Sequence, residues 1–261
     1  MKHLFQAWNE VERRILRAHQ LFLLLDYDGT LTPIVARPEQ AVCPPGVKSI
    51  LEKLRDSPRA MVAIISGRAL EDLKGKVGVP GLTYVGNYGL EIENPVGVHR
   101  KILSPQRRDE LKQIRKSLET SLKAIPGIHF EEKGPILCLH YRNTPREAPG
   151  RVEEAVQNVL QGYSSRWQFS TGKKIFEIRP RMDFNKGKTI KELLHRFSPA
   201  KVLPVYLGDD QSDEDAFRAI QGQGIPVQVG PGMAPSAADY FLRDPNEVLD
   251  FLRQCEIILK N

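Results

Sequence analysis

Two uninterrupted apolar runs, each ending in a polar side chain, constrain the fold of this chain more than any other feature. The run LFLLL at residues 21–25 leads into Asp26, and the run MVAII at residues 61–65 leads into Ser66. A half-exposed strand would alternate apolar and polar residues, whereas strands of a parallel sheet covered on both faces are apolar throughout. The runs therefore predict two buried strands of a parallel sheet.

The order of the predicted elements divides the chain into three segments. Residues 1–98 read β-α-β-α-β after a first helix, with strands at 21–26 and 61–66 and extended chain at 82–93. Residues 99–181 change to α-β-β-α-β-β, and residues 182–261 return to alternating helices and strands. The pattern predicts an α/β fold, in which a doubly wound, mostly parallel sheet is interrupted by an inserted α+β domain.

Composition excludes several classes of protein. The chain has 261 residues, of which 41% are hydrophobic and 27% are charged, as is ordinary for a globular protein. Lys and Arg outnumber Asp and Glu by 38 to 32, but no basic and aromatic motif accompanies the excess, so no nucleic-acid partner is predicted. No apolar run approaches the roughly 20 residues that cross a membrane, and the N-terminus lacks a signal-peptide pattern.

The cysteines indicate a reducing compartment. Cys43, Cys138 and Cys255 are widely spaced and form no C-x-x-C pair, so neither a disulfide framework nor a zinc site is predicted. We expect a cytoplasmic protein without membrane association, and the sequence is silent on its oligomeric state.

Four short polar motifs each follow a predicted strand. They are DYDGT at 26–30, SGR at 66–68, NKGK at 185–188 and GDDQSDEDAF at 208–217. Because ligands bind at the carboxyl ends of the strands in a doubly wound sheet, we expect the four motifs to form one site.

The motif DYDGT places two carboxylates on one side of an extended chain, where like charges repel. A calcium loop is excluded because it would need another Asp or Asn before Gly29 and a helix upstream. One interpretation is an Asx turn at a strand end. The other assigns Asp26 as a nucleophile that becomes an aspartyl phosphate, and Asp28 as the acid that protonates the leaving oxygen and then the base that deprotonates water.

The motif GDDQSDEDAF supplies clustered oxygen ligands, the usual environment of Mg²⁺. Helix capping explains Asp213 in part, but it does not explain Asp209 at the strand end. We expect Asp26 and Asp209 to be direct ligands and Asp213 to hold a metal-bound water. Asp210 can share either role.

Ser66 and Lys186 complete the expected site. Ser66 begins a helix, where it can act as an N-cap and also help to bind phosphate. Lys186 opens a helix, where a cation opposes the helix dipole, and it would screen the repulsion between Asp26 and phosphate. For Lys188, simple exposure to solvent is the expectation.

The four motifs in this order resemble those of the haloacid dehalogenase superfamily of phosphotransferases. The pattern is D-x-D-G-T, then Ser, then Lys, then G-D-D-x-x-D, and the second Asp is typical of its phosphatases and mutases. The insertion, with its repeated α-β-β unit, is similar to the cap of its sugar phosphatases. The resemblance implies a core of residues 1–98 and 182–261 and a cap of residues 99–181 that determines specificity.

A narrower resemblance is to the trehalose-6-phosphate phosphatases of this superfamily. It rests on GDDQSDEDAF, EEKGPILCLHYR and FEIRPRMDFNKGK. It implies a metal site at Asp26, the Asp28 carbonyl and Asp209, with Asp213 nearby. The predicted activity is Mg²⁺-dependent hydrolysis of trehalose 6-phosphate through an aspartyl phosphate.

The same resemblance implies that the cap binds the sugar hydroxyls through Glu131, Lys133 and Glu177. The alternation of Phe176 and Ile178 with polar neighbours agrees with one packed and one polar strand face, although an ordinary exposed sheet face would look the same. Substrate binding is also assigned to three residues in the loops after the second and third strands, Gly67, Arg68 and Asn87.

One departure from the family pattern leaves alternatives open. The loop after the third strand reads GNYGLE, with Tyr88 where a His is common, and Tyr does not titrate near pH 7. The alternatives are a phosphatase for sucrose 6-phosphate or a glucosylglycerol phosphate, a sugar phosphomutase, and a sugar-phosphate sensor without catalytic activity.

Overall fold

The computed structural model describes residues 1–35, 37–100, 103–172, 174–181, 185–197, 202–231 and 235–260. The chain forms two compact units. The larger unit consists of Met1–Arg100 and Phe184–Asn261, and the inserted unit consists of Lys101–Asp183. The predicted segment boundary at residue 182 lies outside the described residues.

The elements of the described residues follow the predicted order, with additions at the sheet edges. The strands are β1 (Lys2–His3), β2 (Gln20–Asp26), β3 (Ala60–Ile65), β4 (Thr83–Gly86), β5 (Glu91–Asn94), β6 (Gly97–Arg100), β7 (His129–Lys133), β8 (Ile136–His140), β9 (Trp167–Gly172), β10 (Ile175–Pro180), β11 (Val202–Gly208), β12 (Ile225–Val229) and β13 (Tyr240–Leu242). The helices are α1 (Trp8–Arg17), α2 (Pro45–Arg55), α3 (Leu70–Val77), α4 (Pro105–Ser121), α5 (Ala148–Gln161), α6 (Lys186–Phe197), α7 (Glu214–Ile220) and α8 (Pro245–Lys260).

The larger unit is built on one sheet in the order β1-β13-β12-β11-β2-β3-β4-β5-β6. The strands from β1 to β4 in this order pair in parallel, and β5 and β6 add antiparallel at one edge. The strands β2, β3 and β11 lie side by side, so their carboxyl ends are adjacent.

The apolar run in β2 is explained by packing on both faces of this sheet. Leu23 and Leu25 belong to one buried cluster, which includes side chains of α1, α2, α3 and α8. Phe22 and Leu24 belong to another, which includes side chains of α6 and α7. Since neighbouring strand residues point to opposite faces, a strand covered on both sides must be apolar at every position. The predicted doubly wound α/β fold is confirmed.

The inserted unit is a four-stranded antiparallel sheet in the order β7-β8-β10-β9, with α4 and α5 packed on one face. Leu139 and Phe176 lie in register and point into the core beneath the helices. Glu131, Cys138 and Glu177 form a cross-strand row with the opposite side-chain direction. This row belongs to the face on which neither α4 nor α5 packs, and we call it the open face of the inserted sheet.

The prediction of continuous extended chain over 82–93 is wrong. The segment is broken by a 3₁₀ turn at Asn87–Gly89, after which β5 runs antiparallel to β4. Asn87, Tyr88 and Gly89 have φ values of 50°, 57° and 102°. Three successive left-handed residues reverse the chain direction. Asn87 and Gly89 are residue types that tolerate such backbone, whereas Tyr88 is not.

None of the helices in the described part of the chain combines the length and the apolar character needed to span a bilayer.

Candidate active site

Asp26 and Lys186 form a buried ion pair at the carboxyl end of β2. Lys186 opens α6, and its Nζ atom donates to Oδ1 of Asp26 at 2.7 Å and to Oδ1 of Asp213 at 2.6 Å. The three side chains are almost completely shielded from solvent. The two carboxylates raise the pKa of the Lys186 amine well above its usual range, although burial acts in the opposite direction. Lys186 is therefore a permanent cation between two acids.

Asp213 is held by several donors in addition to Lys186. The Tyr206 hydroxyl donates to its Oδ1 atom at 2.5 Å, and the Asp210 backbone N–H donates to its Oδ2 atom at 3.0 Å. A Cβ on Gly208 would lie 2.2 Å from Cγ of Asp213, so only glycine leaves room for this carboxylate. The predicted N-cap role of the Asp213 side chain is wrong, because this side chain caps no N–H group of α7. The capping side chain is that of Asp210, which accepts from the Ser212 backbone N–H and hydroxyl at the 3₁₀ turn Gln211–Asp213.

Asp209 lies beside these acids. One carboxylate oxygen each of Asp26, Asp209 and Asp213 lie within 4.8 Å of one another. Burial raises the pKa of Asp209 to about 7, with a further contribution from the neighbouring Asp210 and Asp213 carboxylates. Burial also raises the pKa of Asp26 well above its usual range, and the charge of Lys186 opposes this only in part.

The cluster can therefore hold a divalent cation. Three carboxylates face one ammonium group, so the site has an excess of negative charge that a further cation would offset. Carboxylate oxygens are the ligands that hard divalent cations prefer. Lys186 and Tyr206 already donate to Oδ1 of Asp213. By contrast, none of the described hydrogen bonds joins Asp209 to the ammonium group of Lys186.

The Asp28 side chain does not join this cluster of hydrogen bonds and pairs with Arg68. Its two carboxylate oxygens accept from Nε and Nη2 of Arg68 at 2.6 and 2.7 Å. Arg68 also donates to Asp72 at 2.8 Å, and these acids hold the pKa of its guanidinium above its usual range despite partial burial. The sequence predicts Arg68 as a substrate ligand, and the pairing with Asp28 was not foreseen because the two residues are 40 positions apart.

The loops after β3 and β4 pack together beside Asp28. The buried hydroxyl of Ser66 accepts from the Arg68 backbone N–H at 3.2 Å. The prediction of Ser66 as an N-cap is wrong, because Ser66 directly follows β3 and α3 begins only at Leu70, with Ala69 as its N-cap residue. A Cβ on Gly67 would lie 2.5 Å from the ring of Tyr88, so the ring covers this glycine. The buried Asn87 side chain donates to Glu91 at 2.7 Å. The assignment of Gly67 and Asn87 to substrate binding stays a prediction.

The three predicted sugar ligands belong to the inserted unit. Oε2 of Glu131 lies 2.9 Å from Nε2 of His140 and 3.6 Å from Nζ of Lys133. Glu177 is in register with Cys138, which is in register with Glu131, so the two glutamates share the open face across one intervening strand. His140 was missed by the sequence analysis. The two-residue period of β8, which places Cys138 and His140 on one face, would have indicated it.

Comparison with known proteins identifies the family. Residues 24–246 match a family model described as trehalose-phosphatase. A trehalose-phosphate phosphatase of Mycobacterium bovis is 36% identical over 243 residues, which cover 90% of this chain and 61% of that protein. This chain thus spans less than two thirds of that relative's length.

Solved structures agree on the fold. The C-terminal domain of C. albicans trehalose-6-phosphate phosphatase has a TM-score of 0.76 at 24% identity, over 95% of this chain and 96% of that one. A haloacid dehalogenase-like hydrolase from Bacteroides thetaiotaomicron has a TM-score of 0.68 at 13% identity, over 90% of this chain and 99% of that one. The fold is that of the haloacid dehalogenase-like hydrolases, and the match to the family model and to the mycobacterial relative shows that the chain belongs to the trehalose-phosphatase family.

Proposed function

We propose that this protein hydrolyses trehalose 6-phosphate to trehalose and inorganic phosphate. The observation that supports the reaction class is the buried contact of Lys186 with Asp26 at a strand end, within a cluster of three carboxylates. Membership of the trehalose-phosphatase family supports the substrate. Free thiols at all three cysteines support a reducing compartment, and we propose the cytoplasm.

The reaction has two steps that share one pair of acids. A carboxylate oxygen of Asp26 attacks phosphorus, the bond from phosphorus to the sugar oxygen breaks, and that oxygen takes a proton from Asp28. Water then attacks the aspartyl phosphate, its proton passes to Asp28, and the bond from phosphorus to the Asp26 oxygen breaks. Asp26 leaves as a carboxylate and Asp28 is again protonated, so both residues return to their starting state.

Cations and donors around Asp26 offset the charge of the phosphoryl group. The ammonium group of Lys186 lies 2.7 Å from Asp26 Oδ1, so it reduces the repulsion between this carboxylate and an incoming phosphate. Ser66 and the loop that follows it supply a hydroxyl and backbone N–H groups near the end of β3.

The acidic cluster fits Mg²⁺. Asp26, Asp209 and the backbone carbonyl of Asp28 would hold the ion, with Asp213 beside it. When bound, Mg²⁺ would neutralise charge on the phosphoryl oxygens and so lower the barrier to nucleophilic attack.

We propose that the sugar binds to the inserted unit, on the open face that carries Glu131, Lys133 and Glu177. Sugar hydroxyls require several polar groups of fixed orientation, and this face combines carboxylates with an ammonium group and His140. The residues 99–181 would thus determine which phosphate ester is hydrolysed.

Phosphate release from a panel of esters tests the proposal. The purified protein is incubated with trehalose 6-phosphate, sucrose 6-phosphate, a glucosylglycerol phosphate and glucose 6-phosphate, with Mg²⁺ or with EDTA. We expect the highest kcat/KM for trehalose 6-phosphate, and loss of turnover in EDTA and in Asp26→Asn. Faster phosphate release from another ester would contradict trehalose 6-phosphate as the substrate and leave the mechanism intact. An active Asp26→Asn variant would contradict the mechanism, in which Asp26 is the nucleophile. A bisphosphate product would indicate a mutase, and binding without turnover would indicate a sensor.

A further inference from the structure

Arg68 is bound by two carboxylates in the larger unit. Its Nε and Nη2 atoms donate to Asp28 at 2.6 and 2.7 Å, and its Nη1 atom donates to Asp72 at 2.8 Å. The contact with Asp28 is two-pronged, an arrangement in which a guanidinium group fixes both the position and the plane of a carboxylate. Asp72 belongs to the first turn of α3, so Arg68 connects that helix to the loop after β2.

The guanidinium group is itself held in place. The Arg68 side chain is only 12% exposed, and its guanidinium carbon lies 5.6 Å from the centre of the Tyr27 ring. The backbone N–H of Arg68 donates to Ser66 Oγ at 3.2 Å, and its carbonyl accepts from the Asn87 N–H at 2.7 Å. By contrast, the Asp28 side chain is 41% exposed and depends on Arg68 for a defined orientation.

The geometry points to Arg68 as the residue that positions Asp28 for proton transfer. This inference rests on the proposed function, in which Asp28 protonates the leaving oxygen. A general acid must lie within about 3.2 Å of the atom that it protonates, and an aspartate side chain rotates about two bonds unless it is held. The two-pronged contact restricts both rotations of the Asp28 carboxylate. When Asp28 is protonated, one oxygen keeps an N–H of Arg68 and the other, released from its N–H, carries the proton that passes to the leaving oxygen. Arg68 is then a positioning residue that acts through Asp28, instead of a direct substrate ligand as the sequence predicts.

A comparison of leaving groups separates these two roles. Trehalose 6-phosphate releases a sugar alkoxide, which needs a proton, whereas p-nitrophenyl phosphate releases a stable phenolate, which needs none. For Arg68→Ala we expect kcat/KM to fall about 10²-fold with trehalose 6-phosphate and less than about threefold with p-nitrophenyl phosphate, because only the first reaction depends on general acid catalysis. Asp28→Asn should show the same selective loss. Equal losses with both esters would make Arg68 a direct ligand of the phosphate and overturn the positioning role.

Two further variants control for charge and for folding. Arg68→Lys keeps the positive charge but lacks the planar fork, so we expect a selective loss smaller than that of Arg68→Ala. Arg55 makes a similar two-pronged contact with Asp56 at the surface of the same unit, at 2.8 and 3.1 Å. Arg55→Ala should leave both reactions unchanged. Thermal unfolding of each variant verifies that it is folded. If Arg68→Ala is unfolded, the losses in kcat/KM with the two esters are compared for Arg68→Lys instead.

A double-mutant cycle tests whether Arg68 acts through Asp28. If it does, adding Arg68→Ala to Asp28→Asn should lower kcat/KM for trehalose 6-phosphate by less than about twofold, since the cycle isolates the coupling of the pair. A further fall of about 10²-fold would show independent action and overturn the inference. Wild-type protein that releases phosphate from neither ester would refute the proposed function and the positioning role together, whereas an active wild type with unselective Arg68 variants would refute the positioning role alone.

Discussion

A Cβ atom on Gly29 would lie 2.0 Å from Oδ2 of Asp209, so the carboxylate occupies the space that a side chain at position 29 would fill. Gly29 also has a φ of 87°, in the left-handed region that favours glycine. The glycine of the DYDGT motif therefore has two separate functions, since it allows the turn after β2 and it leaves room for an acid from the loop after β11.

Substitution of Gly29 by alanine, compared with the same substitution at Gly222, should separate the effect on the turn from the effect on the space for Asp209. Gly222 has a similar φ of 79° but no atom within 4 Å of an added Cβ, so Gly222→Ala introduces backbone strain alone. We expect Gly222→Ala to lose about 1–2 kcal/mol of stability and to retain activity. Gly29→Ala should in addition lose about 10²-fold in kcat/KM, because a displacement of about 1 Å in a reacting site has such an effect. Equal activities of the two variants would show that Asp209 needs no fixed position.

The sequence predicted that the ends of β2, β3 and β11 are adjacent, because that prediction needs only the order of the elements. The prediction that NKGK also follows a strand of this sheet is wrong, since the strand before it is β10 of the inserted unit. Asp26 is the last residue of β2, and Ser66 and Asp209 directly follow β3 and β11. Parallel neighbouring strands place their carboxyl ends at one edge. Contacts between side chains of distant loops follow from rotamers and local backbone turns, which no periodicity reports. The pair Asp28–Arg68 was missed for this reason, and so was the turn at Asn87–Gly89.

Loss of Lys186 should destabilise the protein as well as inactivate it. Lys186→Met leaves the buried carboxylates of Asp26 and Asp213 without their shared cation, and removing one partner of a buried ion pair costs about 3–5 kcal/mol. Lys188 is exposed on the same helix turn, so Lys188→Ala should change stability by less than about 0.5 kcal/mol. Urea unfolding at pH 7 in EDTA measures the free energy of unfolding of both variants and of the wild type. Similar stabilities for the two variants would argue against a structural ion pair at Lys186.

Mg²⁺ should raise the unfolding temperature of the protein through Asp209. A ligand that binds only the folded state stabilises it by about 2.7 kcal/mol at 100 times its Kd. Asp209→Asn should abolish this stabilisation. Asp215 lies in the same acidic motif but pairs with Arg218 and is 47% exposed, so Asp215→Asn should retain it. A Mg²⁺-induced shift that survives in Asp209→Asn would place the ion elsewhere. The readout requires no turnover, so it tests the site independently of the substrate.

The cysteine thiols should be protected from alkylation in the folded protein. Burial raises the pKa of Cys43 to about 11 and that of Cys138 to about 12, and it raises the pKa of Cys255 further. Because the thiolate is the reactive form, a raised pKa lowers the reactive fraction at pH 8 relative to the unfolded chain. We expect mass spectrometry to find no alkylation by iodoacetamide at pH 8 and three modified sites in urea. Rapid labelling of any one thiol under native conditions would contradict its burial.

His140 should affect recognition of the sugar and leave phosphoryl transfer unchanged. Its Nε2 atom lies 2.9 Å from Oε2 of Glu131 on the open face of the inserted sheet, so it orients a carboxylate that is proposed to bind sugar hydroxyls. His140→Ala should raise KM for trehalose 6-phosphate about tenfold, since a hydrogen bond to a charged group contributes about 1.5–3 kcal/mol. Turnover of p-nitrophenyl phosphate should not change, and Glu131→Ala and Glu177→Ala should show the same selectivity.

The exposed His99 of the larger unit provides a matched control, and His99→Ala should leave both substrates unaffected. His140→Gln retains a side-chain donor and should recover part of the affinity for trehalose 6-phosphate. If His140→Ala impaired both esters equally, the histidine would support folding of the inserted unit in place of sugar binding. The open face would then need a different set of sugar ligands, because Glu131 owes its orientation to His140 in the structure.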